Sequence, residues 1–434
     1  VRVYYHTFGC KTNQYDTERM RQEAESRGAV TTDHPAEADV CVVNTCTVTN
    51  AADAEARRFV RRIHREAPEA RIVVAGCSAA LRESDYRGLS GVSAIVAGQD
   101  PNAVSAAVGG SSLTQIELRA PLDRIETEPI GGELLRRRRG ASRGWLKVQD
   151  GCDRKCSFCA TRLARGRSRS RAPQEVVAEA RLLARVHAEI VVTGIHIGHY
   201  GTDLPRRSSL ARLCARLLDE VPDVRLRLGS VEATEVDDLL IDLLETSGGR
   251  LATHLHMPLQ SGSDAVLRRM RRWHTRDQYR ARTLEIAARV RPLGLGADVI
   301  TGFPGETAHD HAETRALIEE LPFTYLHVFP FSPREGTPAL LLTDTVPQRV
   351  AGERARELRE LGHRKGRAHR AARVGHLVRV VVEGEGGTGL TGDYMRVDVR
   401  GRPSAGRTVV SGTLLGDPDH LYIDPPPESP GIQA

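Results

Sequence analysis

The chain reads as an α/β protein of three units: an N-terminal parallel sheet, a central partial (β/α) barrel and a small C-terminal β-barrel. Three observations predict this. Short apolar runs alternate with amphipathic stretches over the first hundred residues, and they do so again from Trp145 to about Arg334. A Val- and Gly-rich segment with turn signals replaces that alternation after His376. Finally, 434 residues with 40% hydrophobic content exceed one ordinary core.

In the N-terminal unit, residues 3–8, 40–43 and 72–75 read as strands, with helices over 15–26 and 51–65. The arrangement is Rossmann-like. A cysteine follows each strand: Cys10, Cys46 and Cys77. Loops after the strands of a parallel sheet gather along one edge, where ligands bind, so three residues remote in sequence can converge there as ligands of a metal cluster. Cys41, within the second of these strands, and Cys214, in a helical run over 210–218, read instead as small core residues.

Residues 101–143 lose periodicity and end in Gly-Gly-Glu-Leu-Leu-Arg-Arg-Arg-Arg-Gly, which reads as a connector. Arg136 to Arg139 fit either a phosphate contact or a solvated linker. Net charge is +6 with 62 basic residues, and only Lys11, Lys147, Lys155 and Lys365 are lysines. This balance permits a nucleic-acid partner without requiring one.

The central unit begins with a strand at 147–148 and continues with strands over 190–193, 224–228, 254–257, 296–301 and 325–329. A (β/α) barrel places its active site at the C-terminal ends of its strands. The first strand runs directly into Gly-Cys-Asp-Arg-Lys-Cys-Ser-Phe-Cys, where Cys152, Cys156 and Cys159 are spaced CxxxCxxC. Three thiolates on a [4Fe-4S] cube leave one iron open to a reactant. A structural zinc knot would want a fourth ligand close by, whereas His187 lies past an apparent helix. Eight cysteines with no signal-peptide pattern argue for a reducing cytoplasm rather than disulfides. No apolar run approaches the ~20 residues needed to span a bilayer.

After Pro338 a charged helix is expected over 348–370, then short strands from 376 to about 423 with turns at Glu385-Gly-Gly and Arg400-Gly-Arg-Pro. Small β-barrels of this size often bind oligonucleotides. The tail over 425–434, with Pro425-Pro-Pro-Glu-Ser-Pro-Gly, reads as disordered. The expected division is 1–105, a linker over 106–143, a core over 144–372, a β domain over 373–424 and the tail.

The cysteine loop, with Phe158 just before its third cysteine, resembles the radical S-adenosylmethionine (SAM) signature. Together with Cys10, Cys46 and Cys77 it resembles the methylthiotransferases, through Phe8-Gly-Cys-Lys-Thr-Asn-Gln, Asn44-Thr-Cys-Thr-Val-Thr-Asn, Ala75-Gly-Cys, Gln149-Asp-Gly-Cys, Thr193-Gly-Ile-His-Ile-Gly, Leu255-His-Met-Pro-Leu-Gln-Ser-Gly-Ser, Asp298-Val-Ile-Thr-Gly-Phe-Pro-Gly-Glu and His327-Val-Phe-Pro-Phe-Ser-Pro-Arg-Glu-Gly-Thr-Pro-Ala. The first two runs are most similar to the subgroup acting on threonylcarbamoyladenosine in tRNA. The C-terminal segment resembles that family's RNA-binding TRAM domain.

The resemblance implies two [4Fe-4S] clusters, with SAM as co-substrate. One, on Cys152, Cys156 and Cys159, cleaves SAM to a 5′-deoxyadenosyl radical; the other, on Cys10, Cys46 and Cys77, carries the sulfur for adenine C2. It further implies the tRNA anticodon loop as substrate, an electron donor such as flavodoxin or ferredoxin, and an unspecified sulfur donor. SAM contacts are expected at Gly194 and at the segment from Gly302 to Glu306, where a tight turn is the plainer reading. His256, Gln260 and Ser261 end another strand and fit either a place in the cavity lining or, for the lone His256, a structural role. Because an aromatic C–H bond offers no acid–base route at neutral pH, cofactor chemistry must act in one shared cavity. Its approaches are expected to be Lys-free and Arg-lined. The chain departs from the family after Cys159, where Thr161 and Arg162 replace apolar residues and a proline, and these bear on the substrate pocket. The competing readings are a methylthiotransferase for isopentenyladenosine tRNA or a ribosomal-protein aspartate, and a non-catalytic RNA-binding protein with structural metal.

Overall fold

The structure is a computed structural model that describes residues 1–110, 133–383, 387–401 and 408–424. Most of the connector, parts of both expected C-terminal turns and the tail from Pro425 lie outside the described residues.

The N-terminal sheet is parallel throughout. It comprises β1 (Arg2–Thr7), β2 (Val30–Thr32), β3 (Val40–Thr45), β4 (Arg71–Gly76) and β5 (Val92–Ala97), in the order β2-β1-β3-β4-β5. Helices cover both faces, so β3 and β4 run almost continuously apolar instead of alternating. Met20, Val104 and Val108 pack on one side, and Phe59, Val60, Ile63 and Tyr86 on the other. The strand order reverses between β1 and β3, where a parallel sheet opens a ligand crevice.

Two differences from the sequence reading concern helices. The first helix spans Lys11–Ser26 and starts directly after Cys10, because its polar opening turn, Lys-Thr-Asn-Gln, carries no apolar period. The helix Pro101–Val108 lies in what reads as connector. The Asp100 side chain caps it and Pro101 opens it, yet its small residues give weak polar contrast. This helix packs on the helix Lys11–Ser26.

In the central unit, β6 (Arg143–Lys147) leads into a short antiparallel pair, β7 (Gln149–Asp150) and β8 (Arg169–Ser170). The remaining strands are β9 (Glu189–Thr193), β10 (Arg225–Leu228), β11 (His254–His256), β12 (Gly294–Thr301) and β13 (Tyr325–Pro330). Parallel pairing joins β6-β9-β10 and β11-β12-β13, and parallel bridges at Leu226–Leu251 and Ser230–His256 link the two sets. This is an open six-stranded barrel. The helix Lys11–Ser26 packs on edge strand β6, and the helix Gln348–Arg373 packs on β13.

The C-terminal strands are β14 (Leu377–Glu383), β15 (Thr388–Thr391), β16 (Arg396–Val399), β17 (Val409–Asp417) and β18 (His420–Ile423). They close into a barrel ordered β14-β15-β16-β18-β17, around Val380, Val397, Leu414 and Ile423. It docks at the starts of the central strands: Arg225 donates to Leu390 O (2.8 Å) and Arg227 to Thr391 O (2.7 Å). Fully buried Glu189 holds both guanidinium groups. Among the described residues, no helix is long and apolar enough to cross a membrane.

Candidate active site

Cys10, Cys46 and Cys77 stand just beyond the C-terminal ends of β1, β3 and β4, three strands adjacent in the sheet. Gly9 makes the close approach possible. Its φ is +96°, and a Cβ there would lie 2.7 Å from Cys46 Sγ. Asn13 ties the loops together by donating to Phe8 O (2.9 Å) and Thr45 O (3.0 Å). Donors already point at the sulfurs: Val48 N at Cys46 (3.5 Å), and Gln99 Nε2 (3.5 Å) and Arg165 Nε (3.3 Å) at Cys77.

Burial pushes the Cys46 thiol up to about 12 and raises that of Cys77, where Arg165 opposes the rise. Left to themselves these groups stay protonated at neutral pH. A metal centre displaces such protons outright, so buried sulfurs with N–H donors directed at them are what a thiolate-bound iron–sulfur cluster requires.

The second set sits in the loop between β7 and β8. Gly151 has φ +69°, and a Cβ would fall 1.8 Å from Arg167 O, so the two arms of the loop cross in contact. Gln149 holds the crossing. Its Nε2 donates to Asp150 O, Gly151 O and Ser168 Oγ, while its Oε1 accepts from Ile195 N and His196 N. The Gln-Asp-Gly-Cys run and the Thr-Gly-Ile-His run are thereby one structural unit. Cys152 Sγ lies 3.5 Å from His196 Nδ1, and Arg272 donates to Cys156 Sγ (3.7 Å). Burial lifts Cys152 to about 12 and raises Cys156 against the pull of Arg272.

The helix Thr161–Arg165 follows this loop and carries Arg165 into the N-terminal thiols. Besides Cys77, Arg165 donates to Asn13 Oδ1 (2.6 Å), Asp16 Oδ2 (2.8 Å) and both oxygens of Asp150 (3.0 Å each). Lys147 completes the cluster through Asp16 (2.5 Å) and Asp150 (2.9 Å). Two cations and two carboxylates are thus buried together across the two units. Burial works against the Asp150 charge, but Arg165 and Lys147 outweigh it and hold that carboxyl well below its usual range. A second tie joins Arg334 to Asp53 (2.5 Å) and to Thr47 (2.5 Å), one residue from Cys46.

A model described as uncharacterized protein family UPF0004 matches residues 2–98, and one described as the radical SAM superfamily matches residues 146–318. The threonylcarbamoyladenosine tRNA methylthiotransferase MtaB of Bacillus subtilis (strain 168) is 35% identical over 421 residues, covering 92% of this chain and 90% of that protein. The chain belongs to the radical SAM methylthiotransferase family. A tRNA-2-methylthio-N(6)-dimethylallyladenosine synthase of Sorangium cellulosum (strain So ce56) is 36% identical over 446 residues, covering 96% of this chain and 86% of that protein. In fold, the chain resembles the solved radical SAM methyltransferase TsrM from Kitasatospora setae, with a TM-score of 0.55 at 16% identity over 78% of this chain and 76% of that one. Family membership makes the protein a radical SAM enzyme that uses SAM and iron–sulfur chemistry.

The other residues singled out from the sequence occupy varied positions. Phe158 packs edge-on to Phe303, with ring centroids 6.4 Å apart. Gly194 abuts Gln149, Gly302 N donates to Glu306 (2.6 Å), and Glu306 also pairs with Arg354 (2.6 Å). His256 accepts or donates at Ser230 Oγ (2.8 Å) and faces Asp298, whose carboxylate His327 also approaches (3.3 Å). Gln260 has φ +65° at the end of its loop, and Ser261 is turned to Thr314. Cys41 and Cys214 are fully buried in the core. The backbone N–H groups of Arg136 and Arg138 donate to Gln22 Oε1 and His187 Nε2, and the Arg139 guanidinium pairs with Asp33. Sequence reasoning missed Arg165, Arg272 and Glu235, since nothing local distinguishes them in a chain rich in charged residues, and it quoted His196 only as part of the Thr-Gly-Ile-His run.

Proposed function

We propose that the protein is a tRNA methylthiotransferase that installs a methylthio group at adenine C2 of N6-threonylcarbamoyladenosine beside the anticodon. The observation that carries this reading is Arg165, which begins on the radical-SAM cysteine loop and ends on Cys77 of the other thiol set. Two cysteine triads tied by one buried side chain suit a reaction that joins two centres on one base. Curated relatives named for threonylcarbamoyladenosine, from Bacillus subtilis, Rickettsia prowazekii, Aquifex aeolicus and Thermotoga maritima, favour that nucleoside. The Sorangium relative keeps dimethylallyladenosine as the second reading.

Cys152, Cys156 and Cys159 would hold one [4Fe-4S] cluster and Cys10, Cys46 and Cys77 the other. Bound there, the clusters and SAM would supply one-electron cleavage and sulfur, chemistry that no side chain can provide. The chain's own residues do the positioning. Arg272 and His196 steady the first thiol set; Arg165, Gln99 and Asn13 steady the second. Glu235 anchors His196 and His199 and binds Arg154, contacts that outweigh burial and keep it ionised. The loops bearing Gly194 and Gly302 to Glu306 leave the barrel at the same end as the cysteine loop and are assigned to SAM, with Phe158. The C-terminal barrel is assigned as a TRAM domain that binds the tRNA body, and a flavodoxin or ferredoxin as the reductant.

Mass spectrometry of nucleosides tests this, using tRNA incubated with the anaerobically reconstituted protein, SAM and dithionite. The expected product is 2-methylthio-N6-threonylcarbamoyladenosine. Methylthiolation of an N6-alkyladenosine alone would transfer the assignment to the second reading.

A further inference from the structure

Three side chains outside the cysteine loops converge inside the barrel. Along β13, Val328 lies in the core with Ala355 and Leu358 of the helix Gln348–Arg373, and Leu326 lies against Gly362 of the same helix. Strand residues alternate sides, so Tyr325 and His327 face the barrel lumen. Tyr325 reaches His254 of β11 (2.8 Å) over Gly296 of β12, whose missing side chain leaves room for the ring. His256, Asp298 and His327 share that face, two residues further along each of the same three strands.

Asp298 Oδ1 lies 3.3 Å from His256 Nε2 and 3.3 Å from His327 Nδ1. One ligand atom from each of the three side chains falls within 4.8 Å of the other two. A tetrahedral zinc ion with bonds of about 2.0–2.1 Å sets its ligand atoms about 3.3–3.4 Å apart, so two edges of such a site already stand at their length. His327 is 54% exposed, with room to turn and close the third edge. His256 is oriented as metal-bound imidazoles are, with its other nitrogen held at Ser230 Oγ (2.8 Å). Its Nε2 is buried and, among the described residues, makes no hydrogen bond, although the carboxylate is close. When Nδ1–H donates to Ser230, Nε2 turns a lone pair on the Asp298 oxygen, and a cation between the two removes the repulsion.

We propose that His256, Asp298 and His327 form a zinc site in the barrel lumen. Two imidazoles and one carboxylate suit a borderline divalent ion rather than the softer centres that thiolates hold. Three protein ligands leave a fourth position for water, the pattern of zinc sites that are not purely structural. The site is separate from both thiol triads. Its ligands come from β11, β12 and β13, and Asp298 and His327 stand three residues before their strands end, below the mouth where the cysteine loop sits.

The test is zinc uptake by the full chain after anaerobic reconstitution, when iron occupies the thiols. The protein is dialysed against buffered free Zn²⁺, and iron and zinc per chain are counted by elemental mass spectrometry. The wild type should take up about one zinc per chain with its iron unchanged. Asp298→Asn and His327→Ala should each weaken zinc binding more than about a hundredfold, and Ser230→Ala, which only orients His256, by about tenfold. His327 is an exposed side chain whose removal leaves the fold intact, and added zinc should raise the Tm of the wild type but not that of His327→Ala. Zinc bound equally by the wild type and all three variants, zinc gained only as iron is lost, or no zinc taken up at all would each overturn the site.

Discussion

Replacing Arg165 with Met probes the joint between the two α/β units most severely. The side chain is 1% exposed and donates to Asp150, Asp16, Asn13 and Cys77. Met fills much of the volume but removes the charge, leaving Asp16 and Asp150 with Lys147 alone. Removing one partner from a buried ion pair typically costs 3–5 kcal/mol, so a loss of about 4 kcal/mol is expected. The charge-compensated double variant Asp16→Asn with Arg165→Met keeps only the neutral Lys147–Asp150 pair and should recover at least about half of that loss, so the coupling in a double-mutant cycle should be about 2 kcal/mol plus the cost of Asp16→Asn alone. Urea unfolding of the apo chain followed by tryptophan fluorescence suits the purpose. The chain has two tryptophans, and Trp145 bonds Gln14 across the joint, so its emission reports undocking. A single variant within about 1 kcal/mol of wild type, or a double variant weaker than the single, would refute the ionic account of the joint.

Other outcomes follow from the same geometry. His187 is buried between Arg138 N (2.9 Å) and Ala141 O (3.0 Å), and burial lowers its pKa to about 4. Below the unfolded value of about 6.5 only the unfolded chain gains the proton, so stability is full above that pH and lost as pH falls toward 4. Denaturant midpoints should show the wild type losing roughly 1 kcal/mol more than His187→Gln between pH 7 and 5.5; parallel profiles would contradict this. Gly9→Ala forces a Cβ against Cys46 Sγ, and iron analysis should show the N-terminal cluster lost while SAM cleavage persists. Arg227→Met leaves Glu189 under-neutralised and frees Thr391 and Gly392, so limited proteolysis should release the C-terminal barrel faster than from wild type.

Much of this architecture is legible from local signals. The cysteines stood out because strand periodicity places Cys10, Cys46 and Cys77 after three strands, and because a parallel sheet brings such loops together. The central strands were readable as short apolar runs between amphipathic helices, and the C-terminal barrel as alternating valines. Arg165 was not readable, since its partners Asn13, Asp16 and Cys77 lie 152, 149 and 88 residues away and meet it only when the units dock. The helix Pro101–Val108 was hidden for a different reason: Ala, Ser and Val give a helix little polar contrast, and only its Asp-Pro start marks it.

The central claim is that two cysteine triads hold two clusters with separate tasks on one base. Its most direct test is the variant with Cys10, Cys46 and Cys77 all changed to Ala, reconstituted anaerobically and assayed for iron, 5′-deoxyadenosine and modified tRNA nucleoside. Iron should fall from about eight to about four per chain, 5′-deoxyadenosine should still form, and no methylthiolated nucleoside should appear. Continued methylthiolation by that variant, or an iron content equal to wild type, would contradict the account.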